Sequence, residues 1–413
     1  MNRWSKIVSR KTLTILGMNS GTSADGVDLA VIRLTVGKWS PKIMVLDGAM
    51  VPFSPRLKTD LEKLIGQSAV EVADLARAHM AFGMHLGQTA RRFLDRRRLK
   101  VDLIASHGQT IGHFPGRKKS FGLSVGATVQ LGDGSAIAAE TGLPVVSDFR
   151  AADIAAGGEG APLTPFVNHL LFGARTRSRI VVNMGGIANY SYHPAGGSPE
   201  DIRGGDCGPG NTLSDLAARL LFHKPYDRGG RIARTGTPIE EVIAGIEKAN
   251  ARRGRSAGRE QFDIDLFARL VFTARRRRGT NADIVASIME ATAGLIHRSL
   301  KPYLADERLE AVYLTGGGRK NQFLRQRLCA CLSPCSVLPI ETLGFDGDLL
   351  EAVSFAVLGG CFVTGIPSSL PQITGTHTMA IGGKLSLPPE RRPNKSHRRG
   401  SKQPGKTADT RIK

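Results

Sequence analysis

The sequence predicts an α/β fold in which two duplicated units flank a central cleft. Three observations carry this reading. The chain opens with a strand–turn–strand hairpin over Leu13–Leu34, and the pattern recurs over Arg179–Tyr192. A glycine-rich turn also stands at a strand end at Gly17–Gly26, at Met184–Ile187 and at Thr315–Gly318. At 413 residues there is enough chain for two cores, and a cleft between two such units is a common place for small ligands.

The first hairpin joins the apolar runs Leu13–Leu16 and Val27–Leu34, and a third strand follows near Lys42–Val51. Pro55–Gly66 and Val70–Arg98 read as helices. In the second, Val72, Leu75, His79, Phe82, Leu86, Ala90 and Phe93 share one face at helical spacing, which makes His79 a core histidine. Val101–Ser106 and Leu143–Val146 read as buried strands. In the second half, Arg179–Asn183 and Ala188–Tyr192 pair across the Met184–Ile187 turn, and Gly204–Asn211 reads as a turn entering a helix near Thr212. Asn281–Leu304, Asn321–Leu332 and Ala352–Val363 read as helices, and Ala311–Leu314 as the strand before Gly316. The expected division is residues 1–150 with about 365–386 as the first unit, 151–364 as the second, and 387–413 as a basic disordered tail.

Hydrophobic residues make up 41% and charged residues 23% of the chain, the balance of a soluble globular protein. No run of about 18 apolar residues exists, and Met1–Lys11 is basic without the apolar core of a secretory signal. A cytoplasmic protein with no membrane partner is expected. The net charge of +21 comes largely from Arg391–Lys413, Arg96–Arg98, Arg252–Arg259 and Arg275–Arg278. With 6% aromatic residues and no aromatic pattern interleaved with the basic runs, no specific nucleic-acid function is expected. Cys329, Cys331 and Cys335 lack a histidine or second cysteine pair nearby, so they read as buried free thiols rather than a metal site.

The chemistry concentrates in the glycine turns. Gly21, Thr22, Ser23, Asp25 and Gly26 form a turn whose backbone N–H groups and hydroxyls suit phosphate oxygens. Asp25 and Asp28 can hold a hydrated Mg²⁺ beside it. No Gly-Lys-Ser/Thr is present and no helix follows, so this is not a Walker loop; alone, the stretch also fits an ordinary hairpin turn. Gly185 and Gly186 can hold phosphate from the other unit, and Gly316, Gly317 and Gly318 let an adenosine lie against the backbone before the Asn321 helix.

These residues, with several others in the same order, resemble the anhydro-N-acetylmuramic acid kinase family of the actin-like, sugar-kinase ATPase superfamily. The matching stretches are Ser20–Asp28, Ser106–Thr110, Gln130–Gly134, Asp148–Asp153, Gly157–Leu163, Asn183–Asn189, Gly208–Asn211, Gly316–Gly318 with Asn321, and Glu351-Ala352 with Phe355-Ala356. The resemblance runs from about Leu16 to Gly382. It implies two actin-like (ribonuclease H-like) α/β domains, ATP and Mg²⁺ as cofactors, and a homodimer. The implied reaction opens the 1,6-anhydro bridge with water at C1 and places the γ-phosphoryl group of ATP on O6.

By the same resemblance Asp206 is the base that deprotonates the water, and Gly208, Gly210, Asn211 and Asn321 join the nucleotide site. His107, Gln109, Gln130, Asp133, Asp148, Arg150, Asp153 and Glu351 are the sugar candidates; Arg150 can clamp a carboxylate in bidentate fashion. The residues themselves leave alternatives: a turn aspartate at 206 bonding its own backbone, an internal ion-pair network over Asp148, Arg150 and Asp153, and a Glu351 that only complements a helix N-terminus. Three positions depart from the family pattern. Cys207 replaces threonine, Asn19 replaces methionine and Gly347 replaces proline, which leaves another 1,6-anhydro sugar such as levoglucosan as an alternative substrate. A non-catalytic nucleotide-binding regulator on the same fold is the alternative of another class.

Overall fold

The computed structural model describes residues 3–21, 23–37, 41–65, 69–251 and 262–390. After a short helix α1 (Arg3–Val8), the apolar runs of the opening form an antiparallel meander, β1 (Thr12–Ser20), β2 (Gly26–Thr35) and β3 (Lys42–Pro52). Helices α2 (Pro55–Ile65) and α3 (Val72–Arg97) lead to β4 (Leu103–Ser120), which lies parallel to β1. β4 folds back into β5 (Leu123–Leu131), and α4 (Gly134–Thr141) precedes β6 (Val145–Ser147), parallel to β4. Helices α5 (Ala151–Ala155) and α6 (Thr164–Phe172) cross to the second sheet.

There the opening is repeated: β7 (Ser178–Met184), β8 (Ala188–His193) and β9 (Arg203–Gly208) form an antiparallel meander. Four helices follow, α7 (Thr212–Phe222), α8 (Glu240–Ala251), α9 (Ile264–Arg276) and α10 (Asn281–Leu300). Then β10 (Leu309–Thr315) pairs parallel to β7, α11 (Gln322–Cys331) crosses over, and β11 (Val337–Pro339) pairs parallel to β10. The chain ends its described part with α12 (Leu350–Thr364), α13 (Pro371–Thr374) and β12 (Lys384–Ser386), the last antiparallel to β6.

The duplication is therefore topological as well as sequential. One sheet contains the order β3-β2-β1-β4-β6 and the other β9-β8-β7-β10-β11, with matching strand directions. Each sheet has its own core. Leu266, Phe267, Ile288 and Leu328 cover the second sheet over Ile180, Val182 and Val312. Helix α12, apolar on all sides because it is buried, packs Ala352, Val353 and Ala356 with Leu13, Ile15 and Ala30 of the first sheet. Each fully buried Leu, Ile or Phe contributes about 1.5–3 kcal/mol of burial free energy. The sequence division groups residues 151–364 with the second unit, whereas the packing of α12 is with the first sheet.

Four local expectations change. β4 runs to Ser120, well past the expected Ser106, because residues 109–131 form a long hairpin. Gly204–Gly208 is strand β9 rather than part of a turn, since it completes the second meander against β8. His79 is not a core histidine: it is partly exposed, and its ring Nδ1 accepts from the Gly132 N–H. Of the clustered cysteines, Cys329 is exposed and Cys331 and Cys335 are half-buried.

Candidate active site

The end of β1 in the first sheet comes near the end of β7 in the second, where Asn19 and Asn183 both bond Glu351. Ser20 Oγ, buried, donates to Gln109 Oε1 at 2.6 Å, tying β1 to β4. Ser23 Oγ donates to Asp25 Oδ1 at 2.8 Å, while a Cβ built on Gly21 would meet nothing within 4 Å. Thr22 lies outside the described residues. Asn19 stands opposite Asp28 in the β1–β2 register, so their side chains share one face. Loss of water raises the Asp28 carboxyl to about 7, and the charges of Glu351, Asp25, Asp348 and Asp346 push in the same direction. Such a field suits a cation. Among the described residues no group of three His, Cys, Asp or Glu side chains could enclose a metal ion, so Asp25 and Asp28 fit one held through its water shell.

Glu351, in the first turn of α12, joins the two sheets. Asn19 Nδ2 donates to its Oε2 at 2.6 Å, and Asn183 at the end of β7 hydrogen-bonds it from the other side. The residue is open to solvent on one side. Loss of water around the carboxyl holds it above the usual range; Arg150, Asn19 and Asn183 act in the opposite sense. The carboxylate thus has side-chain partners on both sheets in addition to its place at the helix start. Across the second sheet, Asn183 pairs with Asn189, and Asn189 with Asp206. Directly paired residues of antiparallel strands share a face. Asp206 therefore lies on the face that carries Asn183, two strand spacings or about 10 Å away. Being in β9, it is not a helix-entry aspartate; Asn211 occupies the N-cap of α7.

In the middle segment Arg150 acts on Glu351 through its charge, and the other candidates are held elsewhere. Arg150 Nε donates to His107 Nε2 at 3.0 Å and Arg150 Nη1 to the Gly160 carbonyl at 2.9 Å. His107 is buried against the Phe355 ring, with Nδ1 at 3.1 Å from the Gly108 carbonyl. Burial, then the Arg150 charge, keeps it far below the usual histidine range, hence neutral. Burial also lowers Arg150 to about 10, still protonated at neutral pH. Asp153 is fully buried, accepting from Gly160 N at 2.7 Å and from Thr374 Oγ1 at 2.7 Å. Asp133 caps α4 by accepting from Ala136 N at 2.8 Å, and Asp148 pairs with Lys384. Asn321 likewise caps α11 and is buried.

The β4–β5 hairpin surrounds the sugar candidate Gln130 with two groups that the sequence reading passed over, Thr128 and His113. Gln130 Nε2 donates to Thr128 Oγ1 at 2.7 Å and to Thr110 Oγ1 at 3.3 Å, and His113 Nδ1 lies 3.1 Å from the same Thr128 oxygen. Gln130 Oε1 and His113 Nε2 are buried atoms with no hydrogen-bond partner among the described residues. Burial, then Arg150, lowers His113 to about 4. The signal was present: Leu123–Leu131 alternates apolar and polar residues after Phe121-Gly122, as a hairpin strand does. Asn19, Asn183 and Asn189 were also missed as site residues, because an asparagine at a strand end carries no pattern of its own.

The three glycine turns of the second sheet pack on one another. Asn211 N and Thr212 Oγ1 donate to the Gly185 and Gly186 carbonyls at 2.9 and 2.7 Å, and Asn211 Nδ2 to the Met184 carbonyl at 3.0 Å. Gly210 and Gly316 have φ of 52° and 74°. A Cβ would lie 2.4 Å from the Gly185 oxygen in one case and 2.4 Å from Asn183 Oδ1 in the other. Gly208 and Gly318 are buried against Leu295 and Met184, whereas Gly317 is exposed and Gly185 half-buried, with room for a Cβ at ordinary contact with Ile187 and Asn183. Of the departures from the family pattern, Cys207 is fully buried in the second core, away from the cleft face. Asn19 supplies a bond to Glu351 that methionine could not.

A family model described as anhydro-N-acetylmuramic acid kinase matches residues 13–387. A protein of that name from Salinibacter ruber is 35% identical over 392 residues, covering 92% of this chain and 97% of the relative. Another from Gloeobacter violaceus is 36% identical over 369 residues, covering 87% and 95%. Among solved structures, the activator of the 2-hydroxyisocaproyl-CoA dehydratase from Clostridium difficile overlaps 86% of this chain and 96% of its own at 12% identity and a TM-score of 0.40. On its sequence, from β1 to past β12, the chain belongs to the anhydro-N-acetylmuramic acid kinase family.

Proposed function

We propose that the protein opens the 1,6-anhydro ring of anhydro-N-acetylmuramic acid with water and phosphorylates O6 from ATP, giving N-acetylmuramic acid 6-phosphate. One observation carries the reading most directly. Glu351 is hydrogen-bonded from both sheets, and Asp206 lies on the same sheet face as one of those partners, Asn183. A carboxylate from each side of the cleft is what a reaction at two centres of one sugar requires.

In this reading Gly316, Gly317 and Gly318 carry the adenosine, and Gly185, Gly186, Gly208, Gly210 and Asn211 shape the floor on which the nucleotide lies. Gly21, Thr22, Ser23 and Gly26 receive the phosphates. Asp25 and Asp28 would hold Mg²⁺ through water, and the ion's contribution is neutralisation of phosphate charge. Asp206 accepts a proton from water as its oxygen bonds C1. The C1–O6 bond breaks, O6 bonds the γ-phosphorus, and the bond to the β-phosphate oxygen breaks to release ADP. Arg150 and Gln130 are assigned to the sugar with Glu351. His107, Gln109, Asp133, Asp148 and Asp153 hold the surrounding elements in place. Asn321 supports the adenosine turn through its helix cap.

The homodimer and the cytoplasmic setting belong to this reading, as do two units formed by each sheet with its own helices. The test is incubation with ATP, Mg²⁺ and a panel of 1,6-anhydro sugars, followed by identification of the product. A 6-phosphate of anhydro-N-acetylmuramic acid's opened form is expected. Product from levoglucosan alone would reassign the sugar, and nucleotide binding with no product from any sugar would favour a regulator.

A further inference from the structure

We infer that Arg319 is a positioning residue for the nucleotide, tying the Gly316–Gly318 turn to the loop that enters α12, and that Gly347 is glycine to make room for its guanidinium. The inference rests on the kinase reading above for its ligand but on separate residues for its geometry.

Only 6% of the Arg319 side chain is exposed, although Gly317, two residues before it, is exposed. Its Nη2 lies 2.7 Å and its Nε 2.8 Å from Glu341 Oε1. Nη1 donates to Asp348 Oδ1 at 2.8 Å and to the Gly316 carbonyl at 3.0 Å. Lys320 Nζ reaches the other Asp348 oxygen at 2.6 Å. Two cations thus meet two carboxylates, and one guanidinium holds both the start of the glycine turn and the loop beyond it. Arginine suits this task because its planar fork can donate in several fixed directions at once.

Gly347 completes the arrangement. Its φ is not in the left-handed region, so backbone conformation does not call for glycine there. Space does: a Cβ would lie 2.7 Å from Arg319 Nε and 2.8 Å from Cζ. The obstructing atoms are the end of a flexible side chain. A Cβ at 347 would therefore displace the guanidinium from its partners rather than unfold the loop. Proline, the residue the family pattern carries there, would meet the same obstruction and would also remove the Gly347 N–H, which lies 3.4 Å from Glu341 Oε1. Asp348 is followed at once by Leu349 and α12, which carries Glu351. The latch therefore links the nucleotide turn of the second sheet to the helix that packs on the first.

The experiment is a mutant cycle on the full chain with Arg319→Ala, Gly347→Ala and both together. Nucleotide affinity is read by titration with a fluorescent ATP analogue, and KM for ATP and kcat are read in parallel. Each single change is expected to weaken nucleotide binding and raise KM for ATP by roughly tenfold, with kcat within about twofold. The double change is expected to be no worse than Arg319→Ala, because the Cβ then has room. Should Arg319→Ala fail to fold, Glu341→Ala and Asp348→Ala cut the same bonds from the exposed side, and each should raise KM for ATP. Unchanged nucleotide affinity in the folded single variants, or additive losses in the double, would overturn the inference. Failure of the kinase reading would look different: the unmodified protein would bind the analogue but phosphorylate no sugar, and the binding cycle would still be readable.

Discussion

At the end of β1 the turn over Gly21–Asp25 bonds mostly within itself, leaves Gly21 without neighbours for a side chain and sets Asp25 and Asp28 among other carboxylates. At the ends of β7, β9 and β10 the turns hold one another through the Gly185, Gly186 and Met184 carbonyls, and a side chain at Gly210 or Gly316 would strike protein. The two places are equivalent in the duplicated topology, yet one keeps its charge and space for a ligand while the other has used them to build itself. Under the proposed function, glycine in the first turn is a matter of binding; in the second set it is a matter of fold as well.

The largest effect should separate the two ends by chemistry. Asp206→Asn preserves shape and removes the proposed base, so turnover should fall by about 10²–10⁴-fold with KM for ATP nearly unchanged. Asp25→Ala should do the reverse, weakening use of ATP and Mg²⁺ far more than sugar binding. Steady-state kinetics with both substrates varied checks this; a near-normal Asp206→Asn would move the base to another carboxylate, with Glu351 next.

A smaller effect should separate the ends by stability. Gly316→Ala forces a side chain into a positive-φ position against Asn183 and Met184, and should cost about 1–3 kcal/mol. Gly21→Ala should stay within about 0.5 kcal/mol while raising KM for ATP. Denaturant unfolding of the two variants measures the contrast, and equal losses would break the comparison.

The smallest effect concerns pH. A carboxyl raised to about 7 in the folded protein is favoured there in its protonated form. Its stabilising contribution is complete below the unfolded value near 4 and is lost as pH rises through 7. In metal-free protein, Asp28→Asn should therefore raise Tm more at pH 8 than at pH 5, and Mg²⁺ should narrow the gap. Parallel Tm curves would show that Asp28 does not sit in the field described.

Much of this was legible before the fold was known. Apolar runs such as Val27–Leu34 and Arg179–Asn183 have strand length and turn signals at their ends, so the first meander, the β7–β8 hairpin and their glycine turns follow from pattern, whereas β9, rich in glycine, was read as a turn. The β4–β5 hairpin was lost because its first strand leaves the apolar core after Gln109 and continues through Pro115 and a basic stretch, where hydrophobicity gives no cue. The side-chain partners were not legible at all. Asp133, Asp153 and Asn321 have the polar character of ligand-binding residues, but each is engaged by the backbone of its own region. Asn19 and Asn183 stand 164 positions apart in number and meet only because Glu351 lies between two sheets.

The most direct test of the central claim follows the oxygen of water. The reaction is run with ATP, Mg²⁺ and anhydro-N-acetylmuramic acid in ¹⁸O-water, and the product is analysed by mass spectrometry and ³¹P NMR. If Asp206 activates water toward C1 and O6 takes the phosphoryl group, the label appears on C1 and the sugar phosphate carries none. Label in the phosphate would mean that water attacks phosphorus, and would contradict the account of the cleft.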